Sequence, residues 1–267
     1  MRTLSMRPAA VAGAFYPGDA SALDTEVYSL LDDATSEAID AKALIVPHAG
    51  YIYSGPVAAS AYASLRPLAA RVRRVVIFGP AHREWVAGLA VSSADFFATP
   101  LGKVPVDHEA VTAASRLPQV QVNDAAHAAE HSLEVQLPFL QVVLDSFAIA
   151  PFVVGGASVE QVAEVMELLW GGPETLIVVS SDLSHYLPYA EARRMDRASA
   201  DSVLRRQPLA LHEQACGATP INGLLQVARH RNLTPTLLDL RNSGDTAGDK
   251  TRVVGYAAFA FAEPGHD

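Results

Sequence analysis

The sequence predicts an α/β fold, with a mostly parallel or mixed central sheet and helices on both faces. Short β-branched apolar runs bounded by glycine or proline alternate with segments in which apolar residues recur at helical spacing. The runs are apolar at successive positions, as expected for strands that helices cover on both faces. No repeat and no low-complexity linker divides the sequence, so we expect residues 1–267 to form a single domain.

Seven apolar runs are predicted to form strands. They are rich in β-branched residues, and residues typical of turns bound them. The predicted strands are residues 43–46, 75–78, 88–92, 147–154, 176–179, 236–240 and 253–261. Residues 99–103 are predicted to form a turn between two further short strands.

The segments between these runs are predicted to form helices. In the first of them, Asp19 is placed to cap a helix that continues through Leu31. A second is rich in alanine and ends before Pro67, which cannot continue it. The predicted helices cover roughly residues 19–31, 56–65, 130–144, 159–169, 189–206 and 220–231.

Charge and cysteine content exclude several classes of function. Aspartate and glutamate number 29 against 20 lysines and arginines, a formal net charge of −9 at pH 7. Nucleic acid and anionic membranes need clustered basic residues, so neither is an expected partner. A single cysteine, Cys216, excludes an intrachain disulfide and a four-cysteine zinc site. No stretch approaches the ~18 apolar residues of a transmembrane helix, and we expect a cytoplasmic protein.

Histidines follow three of the predicted strands. The run at residues 43–46 leads to His48, the run at 75–78 leads to His82, and the run at 176–179 leads to His185. Ligands of open α/β sheets bind where the carboxyl ends of the strands open into loops. If these strands are parallel, the three side chains converge on one edge of the sheet.

His48 and His82 are the leading candidates for metal ligands. One strand-end histidine is more often a hydrogen-bonded structural residue, but several at one edge favour a metal site. Two histidines and one carboxylate can bind a divalent metal and leave positions open for a substrate. The polar turn at residues 242–249 follows a predicted strand, so Asp245 or Asp249 can reach the same edge as the third ligand.

Two further motifs carry titratable groups. His131 and Glu134 are three residues apart in a predicted helix, which suits either a site histidine oriented by a carboxylate or plain helix-end electrostatics. The stretch at residues 180–185 lacks the Gly-x-Ser-x-Gly elbow of serine hydrolases. We expect His185 to move a proton near the metal, with Asp182 setting its tautomer or capping the next turn.

Two other features suggest no chemistry of their own. Cys216 has no histidine near it in sequence and is predicted to be a small buried residue rather than a nucleophile. Gly155 and Gly156 follow a predicted strand, but no Gly-x-Gly-x-x-Gly or Walker motif accompanies them. The sequence therefore gives little support to nucleotide binding.

Six motifs, in this order, resemble the Memo-like family, whose bacterial and archaeal members are called AmmeMemoRadiSam system protein B. They are Arg-Pro-Ala-Ala-Val-Ala-Gly-Ala-Phe-Tyr-Pro at 7–17, Pro-His-Ala-Gly-Tyr at 47–51, Gly-Pro-Ala-His at 79–82, Glu-His-Ser-Leu-Glu at 130–134, Ser-Ser-Asp-Leu-Ser-His at 180–185 and Gly-Tyr-Ala-Ala at 255–258. The family's fold is similar to class III extradiol ring-cleavage dioxygenases, which use non-haem Fe(II). The resemblance implies metal ligation by His48 and His82, with His131 and His185 lining the same cleft.

The sequence departs from the family pattern at one expected ligand. Animal members supply their third ligand as a cysteine before the Tyr-Ala-Ala strand, and that position is Thr246 here. The neighbouring Asp245 is the obvious carboxylate substitute. Replacing a thiolate by oxygen favours a hard divalent ion over copper, so we expect Fe(II), with zinc or copper as further alternatives.

Three functions remain open at this point. The first is a dioxygenase-like, non-haem-iron oxidoreductase that acts on an unknown small molecule, with His185, His131 and Asp182 as catalytic residues and His48, His82 and Asp245 as metal ligands. The second, which the family name implies, is a non-catalytic metal-binding adaptor for radical-SAM and AMMECR-like proteins. The third is a metal-dependent hydrolase, because an open iron or zinc site can also activate water.

Overall fold

The computed structural model describes residues 4–35, 38–210 and 212–265, and a mixed nine-stranded sheet lies at its centre. A second, three-stranded sheet stands apart from it, in the order β1-β5-β6. The strands are β1 (Met6–Arg7), β2 (Ala41–Val46), β3 (Arg74–Pro80), β4 (Leu89–Val91), β5 (Phe96–Thr99), β6 (Gly102–Pro105), β7 (Val120–Val122), β8 (Ala148–Val154), β9 (Thr175–Ser180), β10 (His185–Leu187), β11 (Thr234–Asn242) and β12 (Val253–Ala262).

The middle of the large sheet is parallel. Strand β9 lies between β2 and β3 and is parallel to both, and β8 continues the parallel order beyond β3. Strand β12 pairs antiparallel with β2, and both β10 and β11 pair antiparallel with β12. On the other side β4 pairs antiparallel with β8, and β7 completes the sheet parallel to β4. The carboxyl ends of β2, β9 and β3 therefore meet at one edge.

Helices cover both faces of the sheet, as the sequence predicts. Helices α1, α2 and α5 pack together, and α2 contacts β2, β11 and β12. Helices α6 and α8 form another packed pair, and α8 contacts β3 and β9. The helices are α1 (Ala20–Asp33), α2 (Tyr51–Ala63), α3 (His108–Ala114), α4 (Asp124–Ala128), α5 (Leu137–Val143), α6 (Val159–Leu168), α7 (Tyr189–Leu204) and α8 (Ala218–His230). Within the described ranges, none of them combines the length and apolarity needed to cross a bilayer.

Burial explains why these strands form where they do. Every residue of β2 and β9 is buried, and so is every residue of β3 after its first. Burying a valine or isoleucine side chain stabilises the fold by about 1.5–3 kcal/mol relative to leaving it exposed. The seven predicted strands are all present, with ends that differ from the prediction by at most two residues.

One predicted helix is wrong at its start. Residues 130–133 form a turn, a 3₁₀ turn follows at Glu134–Gln136, and only Leu137–Val143 is α-helical. Pro138 suits the first turn of α5, where its missing N–H is not needed. The Glu130 carboxylate accepts the backbone N–H of Ser132 at 2.9 Å, which stabilises the turn instead of a helix. His131 therefore does not share a helical face with Glu134.

Glu134 anchors the amino-terminal segment to this turn. Its carboxylate is fully buried, forms an ion pair with Arg7 and accepts the hydroxyl of Tyr16. It also accepts the backbone N–H groups of Ala10 at 2.8 Å and Val11 at 3.0 Å. The remaining nitrogens of Arg7 donate to backbone carbonyls in and before the same turn. One carboxylate thus holds residues 7–16 against the turn that carries His131.

We predict that Glu134→Gln lowers the free energy of unfolding by about 3–5 kcal/mol, because the buried Arg7 guanidinium loses its counter-charge. Urea denaturation measures the change. The matched control is Glu109→Gln at the exposed start of α3, which should shift stability by less than about 1 kcal/mol. Equal losses in both variants would show that Glu134 does not anchor the segment.

Candidate metal centre

Three histidines meet at the carboxyl-terminal edge of the parallel strands. His48 follows β2, His82 follows β3 and His131 lies in the turn before the 3₁₀ segment. The ring centroids are 5.1 Å apart for His48 and His82, 5.4 Å for His48 and His131, and 4.6 Å for His82 and His131. One ligand nitrogen from each lies within 4.8 Å of the other two, and the described residues contain no other such group. Their spacing suits one shared metal ion.

The hydrogen bonds of His48 leave one of its nitrogens available to a metal. Its Nδ1 lies 2.9 Å from the Oγ of Ser180. That hydroxyl donates its single hydrogen to the carbonyl of Ser132 at 2.6 Å, so it accepts a hydrogen from Nδ1. Nε2 of His48 therefore carries the free lone pair. Burial is the main cause that lowers the pKa of His48 well below its usual value, which keeps the ring neutral.

Glu130 orients His82 in the same way. The Nδ1 of His82 donates to Glu130 Oε1 at 2.8 Å, and the backbone N–H of His82 donates to Oε2 at 2.7 Å. Burial alone raises the pKa of Glu130, but the hydrogen bonds from His82 and Ser132 outweigh it and lower the pKa to about 2. The carboxylate is ionised at neutral pH and holds Nε2 of His82 as the free nitrogen. Carboxylate–histidine pairs of this kind typically support metal ligands.

His131 offers an unpartnered nitrogen. Its Nδ1 is buried and makes no hydrogen bond with the described residues, although Glu130 Oε1 is 3.5 Å away. Phe15 packs on the ring at a centroid distance of 4.7 Å. Burial lowers the pKa of His131 to about 4, so its imidazole is neutral at pH 7. Neutral imidazole is the form that binds metals, and burial favours that form for both His48 and His131.

Asp182 and His185 lie in the wall of the same cleft. The cleft has a volume of about 640 Å³ and is bounded by all three clustered histidines, by aromatic side chains and by Arg252. Oδ1 of Asp182 accepts the backbone N–H of His48 at 2.8 Å, which fixes the turn after β2. Burial raises the pKa of Asp182 to about 7 and lowers the pKa of His185. Asp182 can therefore exchange a proton near neutral pH.

The structure does not bring the predicted third ligand, Asp245, to the histidines. Its Oδ1 accepts a hydrogen bond from the hydroxyl of Tyr189, and its Oδ2 accepts one from the N–H of Asn242 at 3.0 Å. Both carboxylate oxygens are therefore hydrogen-bonded to these two residues. Thr246 donates its hydroxyl to the carbonyl of Ser243 at 3.2 Å. Asp249 does border the cleft, but its carboxylate accepts the N–H of Thr251 at 2.7 Å. The third member of the group is the imidazole of His131, in place of the predicted carboxylate.

Cys216 lies closer to the centre than the sequence suggests. Its Sγ is 3.3 Å from Nε2 of His48, although 168 positions separate the two residues. Burial raises the pKa of the thiol to about 12, so the group is protonated and competes with a metal for the lone pair of that nitrogen. Local sequence around Cys216 carries no signal for this contact, because it depends on how the loop before α8 packs on the sheet.

Comparisons with known proteins point to one family. The family profile described as Memo-like protein matches residues 7–260. A MEMO1 family protein of Ignicoccus hospitalis is 38% identical and aligns over 97% of this chain and 99% of its own length. Those of Aquifex aeolicus and Archaeoglobus fulgidus are 36% and 37% identical; the alignments cover 97% and 96% of this chain, and 100% and 99% of the relatives.

We predict that His48→Ala, His82→Ala and His131→Ala each abolish stoichiometric binding of a divalent metal, because each removes one of three neutral nitrogen donors. Elemental analysis of the purified variants measures the occupancy. His230→Ala, at the exposed end of α8, is the control and should keep the metal. Full occupancy in His131→Ala would remove His131 from the ligand set.

We predict that Glu130→Gln lowers metal affinity about 10–100-fold. The neutral amide replaces the anionic carboxylate that accepts the Nδ1–H of His82 and orients the ring. Competition with a chelator of known affinity measures the change. Glu109→Gln serves as the control with the same loss of charge on the surface. Unchanged affinity in Glu130→Gln would show that the carboxylate does not support the ligand.

Proposed function

The chain belongs to the Memo-like protein family, and we propose that it is a metal-dependent oxidoreductase that acts on a small organic molecule. The observation that carries the proposal is the group formed by His48, His82 and His131 at the head of a deep cleft. The resemblance of the family's fold to extradiol dioxygenases favours oxidative chemistry and Fe(II) as the metal.

The donor atoms fit a first-row divalent metal. Three neutral imidazoles suit iron, zinc, copper and nickel, and they leave coordination positions open towards the cleft. The buried, unpartnered Nδ1 of His131 is a polar atom that a bound metal can satisfy. Fe(II) held there would supply one-electron redox chemistry with dioxygen as the oxidant.

We assign proton transfer to Asp182 and His185. Both border the cleft but stand outside the histidine group that would hold the metal. Asp182, with a pKa of about 7, can take a proton from a substrate hydroxyl and return it at the same pH. The backbone N–H of His48 donates to Oδ1 of Asp182, and this hydrogen bond keeps the carboxyl group beside the cleft.

The walls of the cleft favour an organic substrate over a bare ion. Phe15, Tyr53, Tyr186 and Tyr256 line it together with the histidines. The guanidinium of Arg252 lies over the ring of Tyr186, 5.1 Å from its centroid. Such a wall can bind a small organic molecule through its apolar surface.

Hydrolysis is the second candidate, favoured by the identity of the donors. Three histidines, rather than two and a carboxylate, are also the set that holds zinc in enzymes that activate water. Asp182 and His185 would then act as the general base and acid. The metal that the protein takes up in the cell therefore separates the two candidates.

Oxygen consumption by anaerobically iron-loaded protein tests the proposal. We predict substrate-dependent uptake with catechols or related small phenols, and none in zinc-loaded protein. Asp182→Asn should keep the iron and lower kcat about 10²–10⁴-fold, because it loses its titratable proton. Equal oxygen consumption by the iron and zinc forms with these catechols and phenols would contradict oxidative chemistry. Ester hydrolysis by the zinc form would favour the hydrolase.

A further inference from the structure

A second cavity lies apart from the histidine cleft, and we propose that it binds a small molecule carrying a phosphate group or a pair of carboxylates. It has a volume of about 860 Å³ and is lined by α7, by the end of β11 and by the loop that follows. The two cavities share no lining residue. This proposal does not depend on the metal-dependent function.

Four arginines line this arginine cavity. Arg193, Arg194 and Arg197 extend from α7, where spacings of three and four residues place them along one side of the helix. Arg241 joins them from β11. In a chain with a formal net charge of −9, this grouping of guanidinium groups around a concavity is selective for anions.

Two of the four guanidinium groups, those of Arg193 and Arg194, form no ion pair with the described residues. The guanidinium of Arg193 lies over the ring of Tyr189 at 5.6 Å, and the ammonium of Lys250 lies over the same ring at 4.6 Å. The guanidinium of Arg194, in the middle of α7, forms no hydrogen bond or ion pair with the residues that the structure describes. Arg197 meets Asp201 at 3.4 Å on the exposed surface, where an ion pair contributes little.

The two acidic side chains that line the cavity each accept hydrogen bonds from neighbouring groups. Asp245 accepts the hydroxyl of Tyr189 and the backbone N–H of Asn242. Asp196 is only 2% exposed, and its Oδ1 accepts the backbone N–H of Ser184 at 3.0 Å. Arg241, like Arg197, forms an ion pair, in its case with Asp239 on its own strand. The four guanidinium groups at the cavity outnumber the two carboxylates that line it.

The size and walls of the cavity define the ligand class. Ligand sites for small molecules commonly enclose about 300–1,000 Å³, and this cavity lies in that range. Guanidinium groups bind phosphate and carboxylate oxygens in pairs, with a geometry that single ions such as chloride do not match. Leu240, Ala190 and the ring of Tyr189 add an apolar wall for the rest of the molecule.

Isothermal titration at constant ionic strength tests the proposal, with pyrophosphate and malonate as probes and chloride as the reference ion. We expect saturable binding of at least one probe, at one site per chain. Arg194→Gln/Arg241→Gln should lower its affinity at least tenfold. Arg66→Gln/Arg116→Gln removes the same charge outside the cavity and should leave the affinity unchanged.

A further variant separates this site from the metal centre. His82→Ala should bind the same probe as tightly as the native protein, because no histidine lines the arginine cavity. Binding of pyrophosphate assigns the site to phosphate, and binding of malonate alone assigns it to dicarboxylates. Absence of saturable binding, an equal loss in both arginine pairs, or loss of binding in His82→Ala would overturn the proposal.

Discussion

The hydrogen bonds of the buried Glu130 carboxylate are the constraint on which the histidine group depends. The same carboxylate accepts the ring N–H of His82, the backbone N–H of His82 and the backbone N–H of Ser132. It thereby positions one histidine directly and the turn that carries His131 indirectly. A buried carboxylate is stable only when such donors surround it, so the loop after β3 and the turn before α5 form together.

Long-range contacts also hold the other parts of the centre. Ser180, at the end of β9, links the ring of His48 to the carbonyl of Ser132. Arg7, far away in sequence, binds the carbonyl of Glu130 at 2.6 Å. The parallel sheet supplies the common edge, and ring hydrogen bonds decide which nitrogen of His48 and of His82 stays free. The chemistry of the site is therefore a property of the whole fold.

Sequence patterns predict the sheet and part of the site, because both follow from residues close together in the chain. They do not predict features that depend on contacts between distant segments. Continuous apolar runs report strands buried on both faces, and they identify β2, β3 and β9. A histidine two residues beyond such a strand must lie near the edge, as His48 and His82 do. Three features depend on contacts between distant segments. They are the turn at His131, the hydrogen-bonded carboxylate of Asp245 and the contact of Cys216 with His48. No local pattern encodes them.

The position of β12 has a consequence for how the cleft is completed. The strand that delivers His48 pairs on one side with β9 and on the other with β12, near the carboxyl terminus. Tyr256 of β12 also closes one wall of the cleft, while Phe15 near the amino terminus covers His131. The parallel strands alone therefore do not complete the cleft, because β12 must first add the wall that contains Tyr256.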